Sequence, residues 1–283
     1  MERIRLNDGV EIPAVGFGVF MIPNGGETYR AVLDALKAGY RHIDTAAAYM
    51  NESDVGKAVR DSGIKRDEVF ITSKLWLQDY GYDAAKKGVN TSLKNLGMDY
   101  MDLYLLHQPY GDVEGAWKAL EDAKKAGKIR SIGVSNMTPK IWNSFVPRFS
   151  TIPSVNQVEC NPYFQQSELR KILDPQGVRL EAWYPLGHGD KGLLANETVV
   201  ALAKKYGKNA GQVILRFEIQ SGIIVLPKST NPERIKGNLD IFDFELSEGE
   251  MEQMRALDKG KGTHDPEAPG VGEMLLNNYR IHE

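Results

Sequence analysis

A closed (β/α)8 barrel of the α/β class, a TIM barrel preceded by a β-hairpin, is the fold that the sequence predicts. Eight apolar strand candidates lie between residues 14 and 226, helical patterns separate nearly all of them, and a glycine follows several of the helices. Repeated strand–helix units imply a parallel sheet, and eight units favour a closed barrel over an open doubly wound sheet. Because no Pro/Ser-rich linker divides the chain, residues 1–283 are predicted to form a single domain.

The elements follow in chain order. Residues 2–13 predict the hairpin, because the tight-turn sequence Asn7-Asp8-Gly9 separates two short segments. The barrel strands are predicted at residues 14–18, 41–44, 69–74, 101–106, 129–135, 154–159, 178–183 and 223–226. The helices are predicted at residues 27–38, 53–61, 83–96, 113–126, 138–145, 167–173, 196–206, 209–220, 232–238 and 247–257. The Gly- and Pro-rich tail from residue 259 is expected to pack over the barrel mouth, along a path that its sequence does not reveal.

The composition is that of a soluble globular protein. The chain has 42% hydrophobic and 26% charged residues, with a net charge of −3. This balance makes nucleic acid and anionic membranes poor partners. The single cysteine, Cys160, excludes an internal disulfide and a Cys-based zinc site and fits a reducing, cytoplasmic location. Neither a signal peptide nor an apolar run of the ~18 residues needed for a membrane span is evident.

Polar side chains recur where the predicted strands end. Asp44, Lys74 and His107 each follow an apolar run, and Tyr49 lies on the loop after Asp44. In a barrel these positions share one face, which is where barrel enzymes keep their chemistry. The same face is expected to carry Ser135, Asn136, Gln157, Glu159 and Trp183.

The chemistry of the four titratable groups fits proton donation to a carbonyl oxygen; the four are Asp44, Tyr49, Lys74 and His107. A nearby Lys⁺ lowers the pKa of a tyrosine from its usual value near 10, and an Asp keeps that Lys charged and oriented. A neutral His can orient a carbonyl oxygen that gains negative charge during reduction. The sequence shows no strong nucleophile paired with a base, so acyl transfer is not indicated. It also shows no His and carboxylate side chains at metal-ligand spacing, so no metal is predicted.

A reductase needs a hydride donor, and the usual dinucleotide motif is missing. There is no G-x-G-x-x-G and no Walker A sequence. Instead, residues 227–234 follow the last strand and open a helix, an arrangement that often binds phosphate in barrels. Lys228, Ser229 and Arg234 there suit a 2′-phosphate, hence NADPH over NADH. A capped helix with solvated cations explains this segment equally well.

Six motifs resemble those of the aldo-keto reductase family, over essentially the whole chain. They are GYRHIDTAAAYMNE at residues 39–52, ITSKLW at 71–76, DLYLLH at 102–107, GKIRSIGVSN at 127–136, VNQVECNP at 155–162, and PKS at 227–229 with Arg234 and Asn238 beyond it. The chain is most similar to the bacterial branch, which includes diketogluconate and glyoxal reductases.

This resemblance implies a role for each matching residue. Tyr49 would be the general acid in NADPH-dependent reduction of aldehydes or ketones, assisted by Asp44, Lys74 and His107. Ser135, Asn136 and Gln157 would contact the nicotinamide carboxamide. Trp183, rather than Tyr184, would stack on the nicotinamide ring. The adenosine end, with its 2′-phosphate, would contact Lys228, Ser229, Arg234 and Asn238, and Leu186 would lie on the loop over the pyrophosphate. A monomer is usual among such proteins.

Two departures from the family pattern concern the substrate. Gln108 stands where the family usually has Trp, which predicts a wider and more polar pocket. Phe20 replaces another frequent Trp, and Phe20 and Trp76 are expected to form aromatic walls. Two other functions are weighed against this one. A cofactor-binding protein without turnover is disfavoured by the intact set of four, and an unrelated barrel hydrolase or isomerase is disfavoured by the Lys-Ser-Arg cluster.

Overall fold

Ten strands build a barrel and its N-terminal hairpin in the computed structural model, which describes residues 2–283. The hairpin strands are β1 (Arg3–Arg5) and β2 (Glu11–Pro13), which pair antiparallel. The barrel strands are β3 (Phe17–Gly18), β4 (His42–Asp44), β5 (Phe70–Leu75), β6 (Met101–Leu106), β7 (Ile129–Ser135), β8 (Val155–Glu159), β9 (Arg179–Trp183) and β10 (Ile224–Val225). Every neighbouring pair from β3 to β10 is parallel, in chain order.

The sheet closes between its first and last strands. The backbone N–H of Val225 donates to the carbonyl of Ala14 at 3.0 Å, and Gly16 N–H donates to the carbonyl of Val225 at 2.8 Å. This contact completes the cylinder and confirms the predicted (β/α)8 barrel. The hairpin covers one end of it, because Leu6 and Ile12 pack with the inward-facing strand residues Phe70, Leu103 and Val155.

Twelve helices are described within residues 2–283. They are α1 (Glu27–Ala38), α2 (Glu52–Asp61), α3 (Tyr82–Leu96), α4 (Val113–Lys125), α5 (Pro139–Phe145), α6 (Ser167–Leu173), α7 (Lys191–Leu194), α8 (Glu197–Tyr206), α9 (Ala210–Gln220), α10 (Pro232–Leu239), α11 (Glu248–Arg255) and α12 (Val271–Asn278). The ten predicted helices occur within two residues of their expected bounds. The short α7 and the tail helix α12 were not predicted. None of the helices in this described range has the length and apolar character to cross a membrane.

The helices pack closely on the sheet and on each other. A Cβ added to Gly56 of α2 would lie 1.9 Å from the carbonyl oxygen of Leu96 on α3, so only glycine allows this approach.

The predicted cap of α2 at Ser53 is one residue inside the helix, which begins at Glu52. Asn51 before it instead donates to the carbonyls of Val19 and Ile22 at 3.1 and 3.0 Å. It thereby joins the first two loops at the carboxyl ends of the strands.

The tail from residue 259 crosses the strand ends, as predicted. The Trp76 indole N–H donates to the carbonyl of Tyr279 at 2.7 Å, and Tyr110 Oη donates to the carbonyl of Pro266 at 2.7 Å. The backbone N–H groups of Thr263 and His264 donate to the Glu159 carboxylate at the end of β8, at 2.9 to 3.0 Å. The tail therefore forms one wall of the barrel mouth.

Candidate active site

A cavity of about 610 Å³ opens at the carboxyl ends of the barrel strands. All the residues predicted for this face line it except Lys74, which lies directly beneath, and Glu159, whose carboxylate binds the tail. The lining residues include Phe20, Asp44, Tyr49, Trp76, His107, Gln108, Ser135, Asn136, Gln157, Trp183, Leu186, Lys228, Ser229, Arg234 and Asn238. Successive parallel strands bring these side chains together although they are far apart in sequence.

The floor of the cavity holds a buried ion pair. Lys74 Nζ donates to Asp44 Oδ1 at 2.6 Å and to the carbonyl of Thr45 at 2.9 Å, and it lies 3.4 Å from Tyr49 Oη. Lys74 has no exposed surface and Asp44 has 3%. Burial of an unpaired ammonium or carboxylate would be costly, so each charge stabilises the other. The ammonium group of Lys74 thus lies beside the hydroxyl of Tyr49.

Electrostatics keep Lys74 charged and His107 neutral. Burial disfavours the charged form of Lys74, but the charge and the hydrogen bond of Asp44, with contributions from Tyr49 and Glu181, outweigh burial and raise the pKa of Lys74. Burial, followed by repulsion from Lys74, lowers the pKa of His107 well below its usual value. His107 is therefore a neutral imidazole, and its ring meets that of Tyr49 edge to face at 5.6 Å.

The pKa of Tyr49 differs from the sequence-based expectation. Lys74 acts in the predicted direction, but burial of the hydroxyl is the larger effect, and the pKa is raised above its usual value near 10. The prediction of a lowered pKa did not include this desolvation, which sequence does not reveal. At neutral pH the hydroxyl keeps its proton in the free protein.

Hydrogen bonds fix the middle of the cavity. Trp183 Nε1 donates to Asn136 Oδ1 at 3.0 Å, and Asn136 Nδ2 donates to the carbonyl of His107 at 3.1 Å. Asn136 has a φ of 60°, in the left-handed region that Asn tolerates better than most residues. Ser135 Oγ donates to the carbonyl of Gln157 at 2.7 Å. The Trp183 ring is thus held as one wall, while Tyr184 beside it turns away to stack on His188 at 3.9 Å.

Glu181 is a buried carboxyl group that the sequence analysis missed. Gln157 Nε2 donates to Glu181 Oε2 at 2.7 Å and to Asp44 Oδ2 at 2.8 Å. Burial, followed by repulsion from Asp44, raises the pKa of Glu181 to about 8. The position was detectable, because strand side chains alternate and residue 181 faces the same side as Trp183.

The outer end of the cavity carries two cations. Lys228 and Arg234 are exposed, and neither takes part in an ion pair within residues 2–283. Arg234 lies in the first turn of α10, where Asn231 Oδ1 accepts from its backbone N–H at 3.1 Å. The helix cap that the sequence analysis offered as an alternative is therefore present. The unpaired charges of Lys228 and Arg234 face the cavity beside it. This combination fits a phosphate group.

The remaining part of the cavity is lined by aromatic rings and by one amide side chain. Phe20 is 49% exposed, with its ring 5.0 Å from that of Tyr49, and the buried Trp76 ring lies 5.1 Å from that of His107. Gln108 is 8% exposed, and its Oε1 makes no hydrogen bond within residues 2–283. The tail adds Leu275 and Tyr279, which were not predicted because the Gly- and Pro-rich sequence from residue 259 does not reveal the path of the chain.

Fold and site together fit a barrel oxidoreductase, in which a buried Asp–Lys pair meets Tyr49 on the wall of a cavity that carries two exposed cations at its outer end. Residues 14–259 match the model of the aldo/keto reductase family. The chain belongs to this family. This confirms the predicted class, an NADP(H)-dependent oxidoreductase.

Similar proteins cover nearly the whole chain. The glyoxal reductase of Bacillus subtilis (strain 168) is 46% identical over 276 residues, which cover 97% of this chain and 98% of that protein. The crystal structure of MGS-M4, an aldo-keto reductase enzyme from a Medee basin deep-sea metagenome library, is 42% identical with a TM-score of 0.90. That match covers 93% of this chain and 97% of the other. An aldo-keto reductase of Bombyx mori in complex with NADP is 34% identical with a TM-score of 0.88, and the match covers 98% and 97% of the two chains.

Proposed function

We propose that this protein reduces an aldehyde or ketone to an alcohol with NADPH, and that Tyr49 is the general acid. The observation that carries the proposal is the position of Tyr49 Oη, on the cavity wall and 3.4 Å from a lysine that is itself paired with Asp44 at 2.6 Å. A protonated hydroxyl beside a fixed cation suits proton transfer to an oxygen that is gaining negative charge.

The residues of the floor divide the work of protonation. Tyr49 donates its proton to the carbonyl oxygen, and Lys74 stabilises the tyrosinate that remains. Asp44 keeps Lys74 charged and in place. His107 is neutral, so its ring N–H can donate a hydrogen bond to the carbonyl oxygen without transferring its proton. NADPH, when bound, supplies the hydride that reaches the carbonyl carbon.

The remaining lining residues are proposed to hold the cofactor. Trp183 offers a fixed aromatic face for the nicotinamide ring, and Ser135, Asn136 and Gln157 lie beside it as carboxamide contacts. Leu186 lies on the connecting loop over the pyrophosphate. The unpaired charges of Lys228 and Arg234, with Ser229 and Asn238, suit the 2′-phosphate and adenine.

The substrate is proposed to enter between Phe20, Trp76 and Gln108. The relative from B. subtilis is named a glyoxal reductase, so glyoxal and methylglyoxal are the first probes. Nitrobenzaldehyde, diketogluconate and steroid ketones test a larger and more polar pocket.

The test follows NADPH consumption with each carbonyl compound for the wild type and for Tyr49→Phe. We expect the substitution to lower kcat by roughly 100- to 10,000-fold, because it removes only the proton donor. The dissociation constant for NADPH should stay unchanged. A variant with near-native kcat would show that Tyr49 is not the general acid.

We also propose that the protein works as a monomer in the cytoplasm. The residues proposed for catalysis, for the cofactor and for the substrate all come from one chain, which supports a monomer. The only cysteine is buried and unpaired, which fits a reducing compartment. Light scattering of the active protein tests the monomer, because a stable dimer would double the mass.

A further inference from the structure

We propose that Glu181 is a positioning residue, which fixes the amide of Gln157 so that its carbonyl oxygen faces the cofactor. The inference rests on the proposed function, because it takes Gln157 as a contact of the nicotinamide carboxamide. Glu181 itself is fully buried and does not line the cavity, so it acts through Gln157.

The two hydrogens of the Gln157 amide are both taken by carboxyl groups. Nε2 donates to Asp44 Oδ2 at 2.8 Å and to Glu181 Oε2 at 2.7 Å. The Asp44 carboxylate, paired with Lys74, can only accept hydrogen bonds, so the NH2 end must face inward. The side-chain carbonyl oxygen of Gln157, Oε1, has no hydrogen-bond partner within residues 2–283, unlike the backbone carbonyl that accepts from Ser135, and it is the end left for the cavity.

Glu181 is needed because Asp44 alone cannot hold both hydrogens. Asp44 lies on β4, across the barrel from Gln157, and its other oxygen is engaged by Lys74 at 2.6 Å. Glu181 lies directly beside Gln157 in the register of β8 with β9. The second hydrogen bond therefore comes from a neighbouring strand, at an angle set by the sheet. Two anchors on different sides of the amide define its plane.

A fixed carbonyl oxygen selects one end of a primary carboxamide. Such an oxygen accepts only from the NH2 group, whereas an inverted Gln157 amide would set two donors against each other. The Trp183 face and this hydrogen bond together would hold the nicotinamide ring in one orientation. Glu181 is thus expected to contribute to cofactor affinity without touching the cofactor.

Two substitutions separate positioning from general structural support. Glu181→Gln keeps an acceptor for Gln157, whereas Glu181→Leu removes it. With NADPH titrated against tryptophan fluorescence, we expect the Leu variant to raise the dissociation constant roughly three- to tenfold, the effect of one hydrogen bond. The Gln variant should stay within about twofold of the wild type. Melting temperatures of both variants report on folding.

A double-mutant cycle tests whether the effect passes through Gln157. In a Gln157→Ala background, Glu181→Leu should have no further effect on NADPH affinity. A full effect in that background, or an equal loss in the Gln and Leu variants, would overturn the inference.

A cofactor analogue gives a readout that does not depend on folded variants. The 3-acetylpyridine analogue of NADP⁺ keeps the carbonyl group but lacks the NH2 donor. We expect the wild type to bind it roughly three- to tenfold more weakly than NADP⁺, and equal affinities would contradict the inference. A wild type that neither binds NADPH nor reduces an aldehyde would instead contradict the proposed function.

Discussion

The two ends of the cavity are built differently. At the floor, Asp44 and Lys74 are almost completely buried, and each has a hydrogen-bond partner from the protein. At the outer end, Lys228 and Arg234 are exposed and have no ion-pair partner within residues 2–283. The charges of the floor are thus paired within the protein, whereas those of the outer end are unpaired and are the ones proposed to bind the cofactor phosphate. Changes at the floor should alter both stability and chemistry, and changes at the outer end should alter affinity alone.

The largest effect is expected from Lys74→Met. This substitution leaves Asp44 buried without its cation, and breaking such a pair costs about 3–5 kcal/mol of unfolding free energy. The tyrosinate also loses its stabilising charge, so kcat should fall by roughly 100-fold or more. Urea denaturation and steady-state kinetics measure the two effects.

The double substitution Lys74→Met with Asp44→Leu is the matched control. It removes both charges, and we expect it to recover much of the lost stability but none of the activity. Equal instability of the single and double variants would show that packing, rather than the unpaired charge, dominates this site.

A smaller effect, confined to binding, is expected at the outer end. Lys228→Ala or Arg234→Ala should raise the KM for NADPH by roughly 10- to 100-fold, because each removes a charged hydrogen bond to the 2′-phosphate. The KM for NADH, which lacks that phosphate, should change little. Unfolding free energy should be unchanged, because neither side chain is buried.

Lys236→Ala provides the comparison for these two variants. Lys236 is an exposed cation of the same helix that does not line the cavity. An equal loss for NADPH and NADH in the Arg234 variant, or a loss as large in the Lys236 variant, would contradict a specific 2′-phosphate site.

A third prediction concerns the pH dependence of stability at the floor. The pKa of Glu181 is raised from 4.5 to about 8 in the folded protein, so the folded state binds a proton that the unfolded state has released. Stability from this group is complete below about pH 4.5 and is lost as pH rises through about 8. The wild-type melting temperature should therefore fall across this window more steeply than that of Glu181→Gln. Parallel melting curves for the two proteins would contradict the raised pKa.

The smallest effect is expected where the tail meets the barrel. Gln78 Nε2 donates to the carbonyl of His282 at 2.7 Å, and Ile281 N–H donates to Gln78 Oε1 at 2.9 Å. Gln78→Ala should change the KM for bulky carbonyl substrates by only a few-fold, since partly exposed hydrogen bonds contribute about 1 kcal/mol. The KM for NADPH should not change.

Gln176→Ala, which removes a local hydrogen bond to the carbonyl of Ile172, is the control for Gln78→Ala. An equal change in substrate KM for both variants would show that the tail contact has no special role.

Features that depend on hydrophobic periodicity, such as the strand ends, could be predicted from the sequence. Features that depend on neighbouring residues from distant parts of the chain could not. Strand ends are visible as apolar runs, so the meeting of Asp44, Lys74 and His107 could be predicted. The direction of the Tyr49 pKa could not, because the degree of burial at the cavity floor depends on neighbours from several strands. The mouth-facing residues of the tail could not be predicted either, because they follow a Gly- and Pro-rich segment and no hydrophobic residue of α12 is fully buried.

The way the tail is attached bears on how this enzyme could be re-engineered. Several of its anchors reach main-chain atoms: Trp76 binds the carbonyl of Tyr279, Tyr110 that of Pro266, and Gln78 that of His282. Main-chain acceptors are present whatever residue occupies the position. The side chains at 275 and 279, which form part of the pocket wall, can therefore be randomised while the attachment stays intact. A library confined to this segment would vary the pocket wall without altering Asp44, Tyr49, Lys74 or His107.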